Sequence, residues 1–279
     1  MSCAGSLACP VCAEPLIDLA TPASSAHCSR GHAFDYARSG YLNLTRQGRG
    51  GVRLGDTAAM VQARAELLAA GHYEGIAAAV VMAAREAGPG IVVEIGSGTG
   101  YYLDAVVAGL RERGAAPECA FGLDLSKAAA AHASRRYPDL RFVVADVETA
   151  IPLRDAAADL ALSVFAPRPA PELGRVVRPG GELIAAFAGP RHLEGLRRHL
   201  DLMGVHEDKL ARLGARLGPW FDPVSTVAVE YEASFSEDDA RRLVAMGPNA
   251  WHDVDPSPLA GGLSDLISVV VARFRRSTE

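Results

Sequence analysis

Four residues near the N-terminus have the side chains and the spacing of zinc ligands. Cys9 and Cys12 are separated by two residues, and Cys28 and His32 are separated by three. A Cys-x2-Cys pair facing a Cys-x3-His pair fits a closed tetrahedral site, in which protein ligands take all four positions and none is left for catalysis. The pattern therefore predicts one structural zinc ion, whose binding would supply much of the folding free energy of so short a segment.

The remaining cysteines favour a reducing compartment. The chain has five cysteines, an odd number, and no apolar signal-peptide core precedes them, so we expect a cytoplasmic protein with thiols rather than disulfides. Cys3 and Cys119 lie outside the ligand pattern, and Cys119 is predicted to be a small core residue. No apolar run reaches transmembrane length, so no membrane contact is expected.

Composition and charge limit the classes of partner. With 279 residues, 49% of them hydrophobic and a net charge of −5, the chain can bury a large core and cannot coat nucleic acid by bulk attraction. Residues 1–55 nevertheless carry a net charge of +2, from five arginines against three acidic residues, which leaves −7 for the rest. These arginines suit a local contact with a polyanion, and a solvated loop explains them equally well. They are Arg30, Arg38, Arg46, Arg49 and Arg53.

The elements after the zinc segment alternate between strands and helices, which is typical of an α/β fold with a doubly wound parallel sheet. The predicted strands are 91–95, 119–123, 140–144, 160–165, 183–187, 224–233 and 267–274, and the predicted helices are 57–70, 73–86, 101–113, 126–136, 172–177 and 237–246. Asp56 is the expected N-cap of the first helix, and Gln47–Gly51 the expected flexible joint. We therefore divide the chain into a zinc module (1–46), a linker with helices (47–88) and a catalytic domain (89–279).

A glycine-rich loop follows the first strand of the sheet, where ligands of doubly wound folds bind. Glu94 lies near the end of the strand, and the loop runs Gly96-Ser97-Gly98-Thr99-Gly100. Its glycines permit a tight turn and a close approach of the backbone to a nucleoside. Tyr101 stands where a dinucleotide fingerprint requires Gly or Ala, which argues against NAD.

The loop and Glu94 resemble motif I of class I S-adenosylmethionine-dependent methyltransferases, which have a Rossmann-like fold. Two more carboxylates fall where that family needs them: Asp124 ends the second strand, where the family binds the ribose hydroxyls, and Asp146 ends the third, near the adenine amine. Either aspartate alone would fit an ordinary strand-end cap equally well. Together with the loop they predict S-adenosylmethionine as the cofactor, bound by Glu94, Gly96, Gly98, Thr99, Gly100, Asp124 and Asp146.

The whole chain, moreover, resembles the zinc-containing 23S rRNA (guanine-N1)-methyltransferases, which include macrolide-resistance enzymes. The matching segments are 31–44, 55–64, 68–73, 165–167, 178–181, 189–193 and 246–248. The resemblance implies that Tyr73 and His192 contact the cofactor; without it, Tyr73 would be a packing aromatic and His192 a helix-start residue. It also implies that the RNA partner is a hairpin in domain II of 23S rRNA, held by a homodimer.

Phe165-Ala166-Pro167 differs from the Asn/Asp-Pro-Pro-Tyr/Phe signature of enzymes that methylate exocyclic amines, which agrees with a ring-nitrogen target. The family modifies guanine 745 or 748. Met246-Gly247-Pro248 and the composition favour 748, and with it a contribution to tylosin-type macrolide resistance. No residue in the sequence identifies itself as the proton acceptor.

Two other functions stay open from the sequence. The chain could be a small-molecule methyltransferase of natural-product biosynthesis, with the zinc module as a lid. It could also be an RNA-binding homologue that has lost catalysis, although the presence of Glu94, Asp124 and Asp146 argues against that.

Overall fold

The computed structural model describes residues 3–18, 24–45, 55–86, 88, 90–200, 208–247, 259 and 261–278. The predicted joint at Gln47–Gly51 and the arginines at 46, 49 and 53 lie outside the described residues.

Eleven strands and eight α-helices form the described part. The strands are β1 (Leu16–Asp18), β2 (Ser25–Cys28), β3 (Ala33–Asp35), β4 (Leu42–Asn43), β5 (Ile91–Ile95), β6 (Cys119–Asp124), β7 (Arg141–Val144), β8 (Ala158–Val164), β9 (Val177–Ala188), β10 (Phe221–Phe235) and β11 (Leu263–Arg276). The helices are α1 (Ala58–Ala69), α2 (Glu74–Ala83), α3 (Tyr101–Glu112), α4 (Lys127–Arg136), α5 (Ala170–Val176), α6 (Glu194–His199), α7 (Lys209–Leu217) and α8 (Glu237–Ala245). Short 3-10 helices occupy Cys3–Ser6 and Ala84–Glu86.

The central sheet has eight strands in the order β10-β11-β9-β8-β5-β6-β7-β4. The six strands from β9 to β4 are parallel, whereas β11 lies antiparallel between β9 and β10. The sheet is therefore mixed rather than wholly parallel. After β7 the chain crosses to the other side of β5, so the strand order reverses between β5 and β8. A ligand site is expected at the carboxyl ends of these strands.

Two buried clusters cover the two faces of this sheet. Neighbouring strand residues alternate between them: Leu183 faces one cluster and Ile184 the other. Helices α1, α2, α3, α4, α6 and α8 pack on the Ile184 face. Helices α5 and α7 pack on the Leu183 face, together with apolar residues of the zinc segment. Helices on both faces agree with the predicted doubly wound α/β class.

The zinc segment is docked on the sheet. Its antiparallel strands β1, β2 and β3 form a small sheet of their own, while β4 extends the central sheet by pairing in parallel with β7. The loop after β7 adds two backbone hydrogen bonds: Ala8 donates to the Pro152 carbonyl at 3.1 Å, and Arg154 donates to the Ser6 carbonyl at 3.0 Å. The segment and the sheet thus share one buried core.

A disulfide joins Cys3 to Cys119, whose Cα atoms are 5.5 Å apart. This pairing corrects the expectation that the chain has no disulfide and that Cys119 is only a core residue, although Cys119 is buried as predicted. The sequence could not indicate it, because 116 positions separate the two cysteines. Docking of the zinc segment brings the first 3-10 helix to the start of β6.

Most predicted elements are found within a few residues of their expected bounds, and β5 matches at both ends. The N-cap of α1 is Thr57 rather than Asp56: the Thr57 hydroxyl accepts a hydrogen bond from the Met60 amide at 3.2 Å. The two-residue strand β4 and the short helices α6 and α7 were not predicted.

In the described part, no single helix is long and apolar enough to cross a membrane. Ala58–Ala69 and Glu74–Glu86 reach the required length and apolarity only as a pair, and an 84° bend separates them.

Candidate functional site

The four predicted zinc ligands converge in the small sheet. The ligand atoms of Cys9, Cys12, Cys28 and His32 all lie within 4.8 Å of one another. His32 Nδ1 is 3.6 Å from Cys9 Sγ and 3.3 Å from Cys28 Sγ, and the sulfurs of Cys12 and Cys28 are 3.6 Å apart. The two pairs come from a turn before β1 and from the end of β2 with the turn that follows.

This donor set fits zinc. Zinc–sulfur bonds of about 2.3 Å and zinc–nitrogen bonds of about 2.0 Å place tetrahedral ligand atoms about 3.5–3.8 Å apart, which is close to the three separations of 3.3–3.6 Å given above. Four protein ligands close the coordination shell, so the ion has a structural role.

The second site is a cavity of about 570 Å³ at the carboxyl edge of the central sheet. Eight of the nine predicted cofactor residues line it: Tyr73, Glu94, Gly96, Gly98, Thr99, Asp124, Asp146 and His192. Gly100 does not line the cavity. It is the N-cap of α3 in a left-handed conformation, with φ of +81°.

The backbone of the glycine loop packs closely against two neighbouring side chains. A Cβ atom at Gly96 would lie 2.6 Å from Cβ of Ala166, and a Cβ atom at Gly100 would lie 2.8 Å from Cζ of Phe142. Both glycines also have positive φ. Side chains at these positions would clash and strain the loop, so its tight turn requires glycine at both.

Asp124 fixes the glycine loop from the neighbouring strand. Its carboxylate accepts hydrogen bonds from the amides of Gly98 and Ser126, both at 2.8 Å. Burial raises the pKa of Asp124, and these two bonds oppose the rise. Each carboxylate oxygen keeps a further acceptor position, which suits the hydroxyls of a ribose.

Glu94 lies deeper, at the end of β5. Its carboxylate accepts a hydrogen bond from the Leu103 amide in the first turn of α3 at 3.1 Å. Burial raises the pKa of Glu94 well above its ordinary value. A positively charged ligand beside this carboxyl would favour the ionised form.

Asp146 stands at the cavity rim and shapes the turn after β7. Its carboxylate accepts hydrogen bonds from the Glu148 amide at 3.1 Å and from the Thr149 hydroxyl at 3.0 Å. Strand-end capping and a ligand contact are therefore compatible at this residue.

Three aromatic rings that line the cavity lie close together: those of Tyr73, Phe165 and His192. His192 stacks on Phe165 with the ring centroids 5.9 Å apart, and the Tyr73 ring lies 6.1 Å from Phe165 and 6.2 Å from His192. Phe165 adopts a left-handed conformation, with φ of +52°, and is 42% exposed although large and apolar. A strained, exposed aromatic beside a cavity indicates a binding role.

His192 is held in its neutral form. Burial and the positive charge of Arg197 lower its pKa to about 4. Its Nδ1 accepts a hydrogen bond from the Ser268 amide at 3.3 Å, so the single ring proton must be on Nε2. At neutral pH His192 is a hydrogen-bond donor and not a base.

Arg64, which the sequence did not single out, closes the cavity on the α1 side. Its guanidinium forms an ion pair with Asp56 and donates a hydrogen bond to the Met246 carbonyl at 2.5 Å. The three residues line the cavity although 182 positions separate Arg64 from Met246. No local signal in the sequence indicates this bridge; only the resemblance of 55–64 and 246–248 to one family marked both segments.

Two buried hydroxyls in the cavity wall lack a partner among the described residues. They are the hydroxyls of Ser97 and Tyr102, and both side chains line the cavity. Buried polar atoms are normally hydrogen-bonded, so the wall has unsatisfied donors and acceptors for a polar ligand. With Asp124, Glu94 and the glycine loop, this wall fits S-adenosylmethionine.

Two family models match the chain. One, described as "RlmA, N-terminal", is a zinc ribbon that matches residues 7–45. The other, described as "Methyltransferase domain", matches residues 92–181. Among solved structures, the [4+2]-cyclase SpnF has a TM-score of 0.53 with 19% identity over 83% of this chain and all of its own. At that identity the likeness shows only the fold.

Curated relatives match along nearly the whole chain. A "23S rRNA (guanine(748)-N(1))-methyltransferase" of Streptomyces fradiae is 41% identical over 93% of this chain and 90% of its own length. A protein of Micromonospora griseorubida, provisionally assigned as a 23S rRNA (guanine-N(1)-)-methyltransferase, is 37% identical over 95% of this chain and 94% of its own. The chain therefore belongs to the family of zinc-containing 23S rRNA (guanine-N1)-methyltransferases.

Proposed function

We propose that this protein transfers a methyl group from S-adenosylmethionine to N1 of a guanine in 23S rRNA, with guanine 748 as the favoured position and 745 as the alternative. The observation that carries the proposal is the 41% identity, over nine tenths of both chains, with a relative named for guanine 748. The cavity supports it independently, because it gathers the residues expected to bind the methyl donor.

The cofactor contacts follow from chemistry and position. Asp124 would accept hydrogen bonds from the ribose, and Asp146 would contact the adenine amine. Glu94, the loop Gly96–Gly100, Tyr73 and the Nε2–H of His192 would surround the methionine part. When bound, S-adenosylmethionine supplies a methyl group on a sulfonium centre. The protein positions the acceptor nitrogen in line with that methyl group, which is the main source of rate in such a site.

The target base must leave its stack to reach the cavity. Guanine N1 lies on the Watson–Crick edge and is covered in a paired stem, so an enzyme acting on it needs an extruded or single-stranded nucleotide. Phe165 is placed to receive such a base, because its ring is exposed at the cavity wall and supported behind by Tyr73 and His192. Phe165 would hold the guanine plane by stacking.

Guanine N1 carries a proton at neutral pH and must lose it as the new nitrogen–carbon bond forms. Neutral His192 cannot accept it at Nε2, which already bears a proton. The acceptor is therefore a cavity carboxylate or a water molecule.

Several finer features rest on the same proposal. We place the target guanine in a hairpin of domain II of 23S rRNA, the protein in the cytoplasm with the ribosome, and its physiological role in tylosin-type macrolide resistance. We also retain the proposed homodimer, which sedimentation would test, and the division into 1–46, 47–88 and 89–279. The match of the zinc-ribbon model to 7–45 and of the methyltransferase model to 92–181 supports that division.

Reverse transcription of 23S rRNA tests the proposed function, because a methyl group on N1 blocks base pairing and stops the polymerase. Ribosomal RNA from cells without the protein, incubated with purified protein and S-adenosylmethionine, should acquire one stop, one nucleotide before guanine 748. A stop one nucleotide before guanine 745 would instead identify guanine 745 as the target. No stop, together with methylation of a small-molecule extract, would support the alternative of a biosynthetic methyltransferase.

A further inference from the structure

Three cationic side chains gather on the Leu183 face of the sheet, beside the cavity wall that contains Phe165, Ala166 and Pro167. Arg168 follows that wall directly in the chain and donates a hydrogen bond from Nη1 to the Ser163 hydroxyl at 3.5 Å. Arg216, on α7, donates to the Arg168 carbonyl at 3.2 Å. Lys209 begins the same helix.

Two of these cations contact the same aromatic ring, that of Phe187 near the end of β9. The guanidinium carbon of Arg168 lies 5.5 Å from the centroid of the Phe187 ring, and Nζ of Lys209 lies 5.7 Å from it. Both distances are within the range of a cation–π contact. The ring is buried, so the positions of the two charges are set by the core rather than by free rotation of surface side chains.

No carboxylate among the described residues forms an ion pair with Arg168, Lys209 or Arg216. Instead the cations act on one another. Burial and the charge of Arg216 lower the pKa of Arg168, while burial and the charge of Arg168 lower the pKa of Lys209. Three neighbouring cations, two of which contact one buried ring, form a site that an anion would stabilise in a chain of net charge −5.

The place of this cluster in the fold decides which anion fits. Its positive charge extends to the cavity, since Lys209 is among the charges that lower the pKa of His192. The outer face of α7 also carries Arg212, one turn from Lys209 and from Arg216, and exposed. A row of cations beside the cavity matches a phosphodiester backbone better than a single small anion.

We propose that Arg168, Lys209 and Arg216 form a phosphate-binding site on the methyltransferase domain. This site binds the RNA backbone next to the extruded guanine. The inference rests on the proposed function and deepens it. It gives the catalytic domain its own RNA contact, whereas the charge distribution along the sequence pointed to the arginines of the zinc segment. Of those, Arg30 already has a partner, because it forms an ion pair with Glu14 at 3.7 Å.

A salt titration of RNA binding tests the site. The probe is a synthetic hairpin of domain II of 23S rRNA that contains the target guanine, and binding is measured by fluorescence anisotropy between about 50 and 200 mM salt. The test variant is Lys209→Ala/Arg216→Ala. The control is Arg111→Ala/Arg113→Ala, which removes the same charge from exposed positions at the far end of α3.

The test variant should lower the slope of log affinity against log salt by about two, since each lost phosphate contact releases about one counterion fewer. It should raise the KM for the hairpin, with the affinity for S-adenosylmethionine unchanged. Lys209→Glu/Arg216→Glu should enlarge the KM effect. Arg168 is left intact in both variants, because Ser163, to which it donates, itself donates to the carbonyls of the wall residues Ala166 and Pro167.

Equal salt slopes for the test variant and the parent would overturn the site. An equal decrease of the slope in the test and control variants would also overturn it, because the effect would then come from the net charge of the protein. Weakened S-adenosylmethionine binding with an unchanged RNA slope would also overturn it, because the cations would then serve the cofactor. If the parent itself neither binds nor methylates the hairpin, the proposed function fails, and that result is distinguishable from failure of the cluster alone.

Discussion

The amide of Leu44 donates a hydrogen bond to the carbonyl of Val144 at 2.9 Å. This bond ties the end of the zinc segment to the central sheet two residues before Asp146, at the rim of the cofactor cavity. The zinc segment and the cavity are therefore connected through the paired strands β4 and β7, although no zinc ligand lines the cavity.

Loss of zinc should therefore destabilise the chain beyond the zinc segment. Cys12→Ser should release the metal and lower the unfolding midpoint of the whole chain by more than about 5 °C, because each kcal/mol lost corresponds to about 2–4 °C in a domain of this size. Metal analysis and thermal unfolding measure both effects. Ser29→Ala, an exposed change between the ligands, is the control. Full zinc content in Cys12→Ser would remove Cys12 from the ligand set.

Asp124→Ala should weaken S-adenosylmethionine binding by about 1–3 kcal/mol, because the amides of Gly98 and Ser126 lose their acceptor and the ribose loses its partner. Zinc content should not change. Titration calorimetry measures the dissociation constant, with Asp139→Ala, an exposed aspartate in the turn before β7, as the control. An unaltered constant in Asp124→Ala would exclude the carboxylate from the site.

His192 should make the protein less stable in mild acid. Its pKa is lowered to about 4 in the folded state against about 6.5 in the unfolded chain, so the unfolded state binds more protons between these values. Stability should therefore fall as the pH drops from about 6.5 to 4, by up to about 3 kcal/mol from this residue.

His192→Gln removes the titrating group and keeps a neutral polar side chain. The difference in unfolding free energy between parent and variant, measured with denaturant at several pH values, isolates His192 from Glu94 and from the zinc ligands. A difference that does not change with pH would contradict burial of a neutral imidazole.

Phe165→Ala should reduce kcat/KM for RNA by about 10- to 100-fold, the range expected when one stacked base loses about 1–3 kcal/mol. Phe165→Tyr keeps the ring and should retain most of the activity. Steady-state methylation of the hairpin, with cofactor affinity measured in parallel, separates the RNA effect from a damaged pocket. If Phe165→Ala methylates RNA as the parent does, the guanine is held elsewhere.

Arg64→Ala should raise the dissociation constant of S-adenosylmethionine about tenfold, because one charged hydrogen bond and one ion pair that close the cavity disappear. Gln62→Ala is the matched control, since Gln62 is exposed on the same helix and bonds only to Glu66 in the described part. Equal affinities for the two variants would show that the bridge from Asp56 to Met246 does not shape the site.

The sequence by itself determined the elements of local origin. The Cys-x2-Cys and Cys-x3-His spacing specifies a zinc site because the ligands of each pair are separated by a single turn, and the structure brings all four together. The glycine loop and the strand-end residues Glu94, Asp124 and Asp146 could be placed in one cavity because parallel strands present their carboxyl ends at one edge. Tyr73 and His192 needed the family resemblance, since neither has a local signal.

Only the tertiary structure decided the contacts between distant segments. The Cys3–Cys119 disulfide, the pairing of β4 with β7 and the bridge from Arg64 to Met246 all join residues about 100 or more positions apart. The strain at Phe165 and the Arg168–Lys209–Arg216 cluster likewise appear only when strands β8 and β9 and helix α7 are packed together. Local propensity and spacing cannot encode such contacts, because their geometry is set by how the layers pack around the shared core.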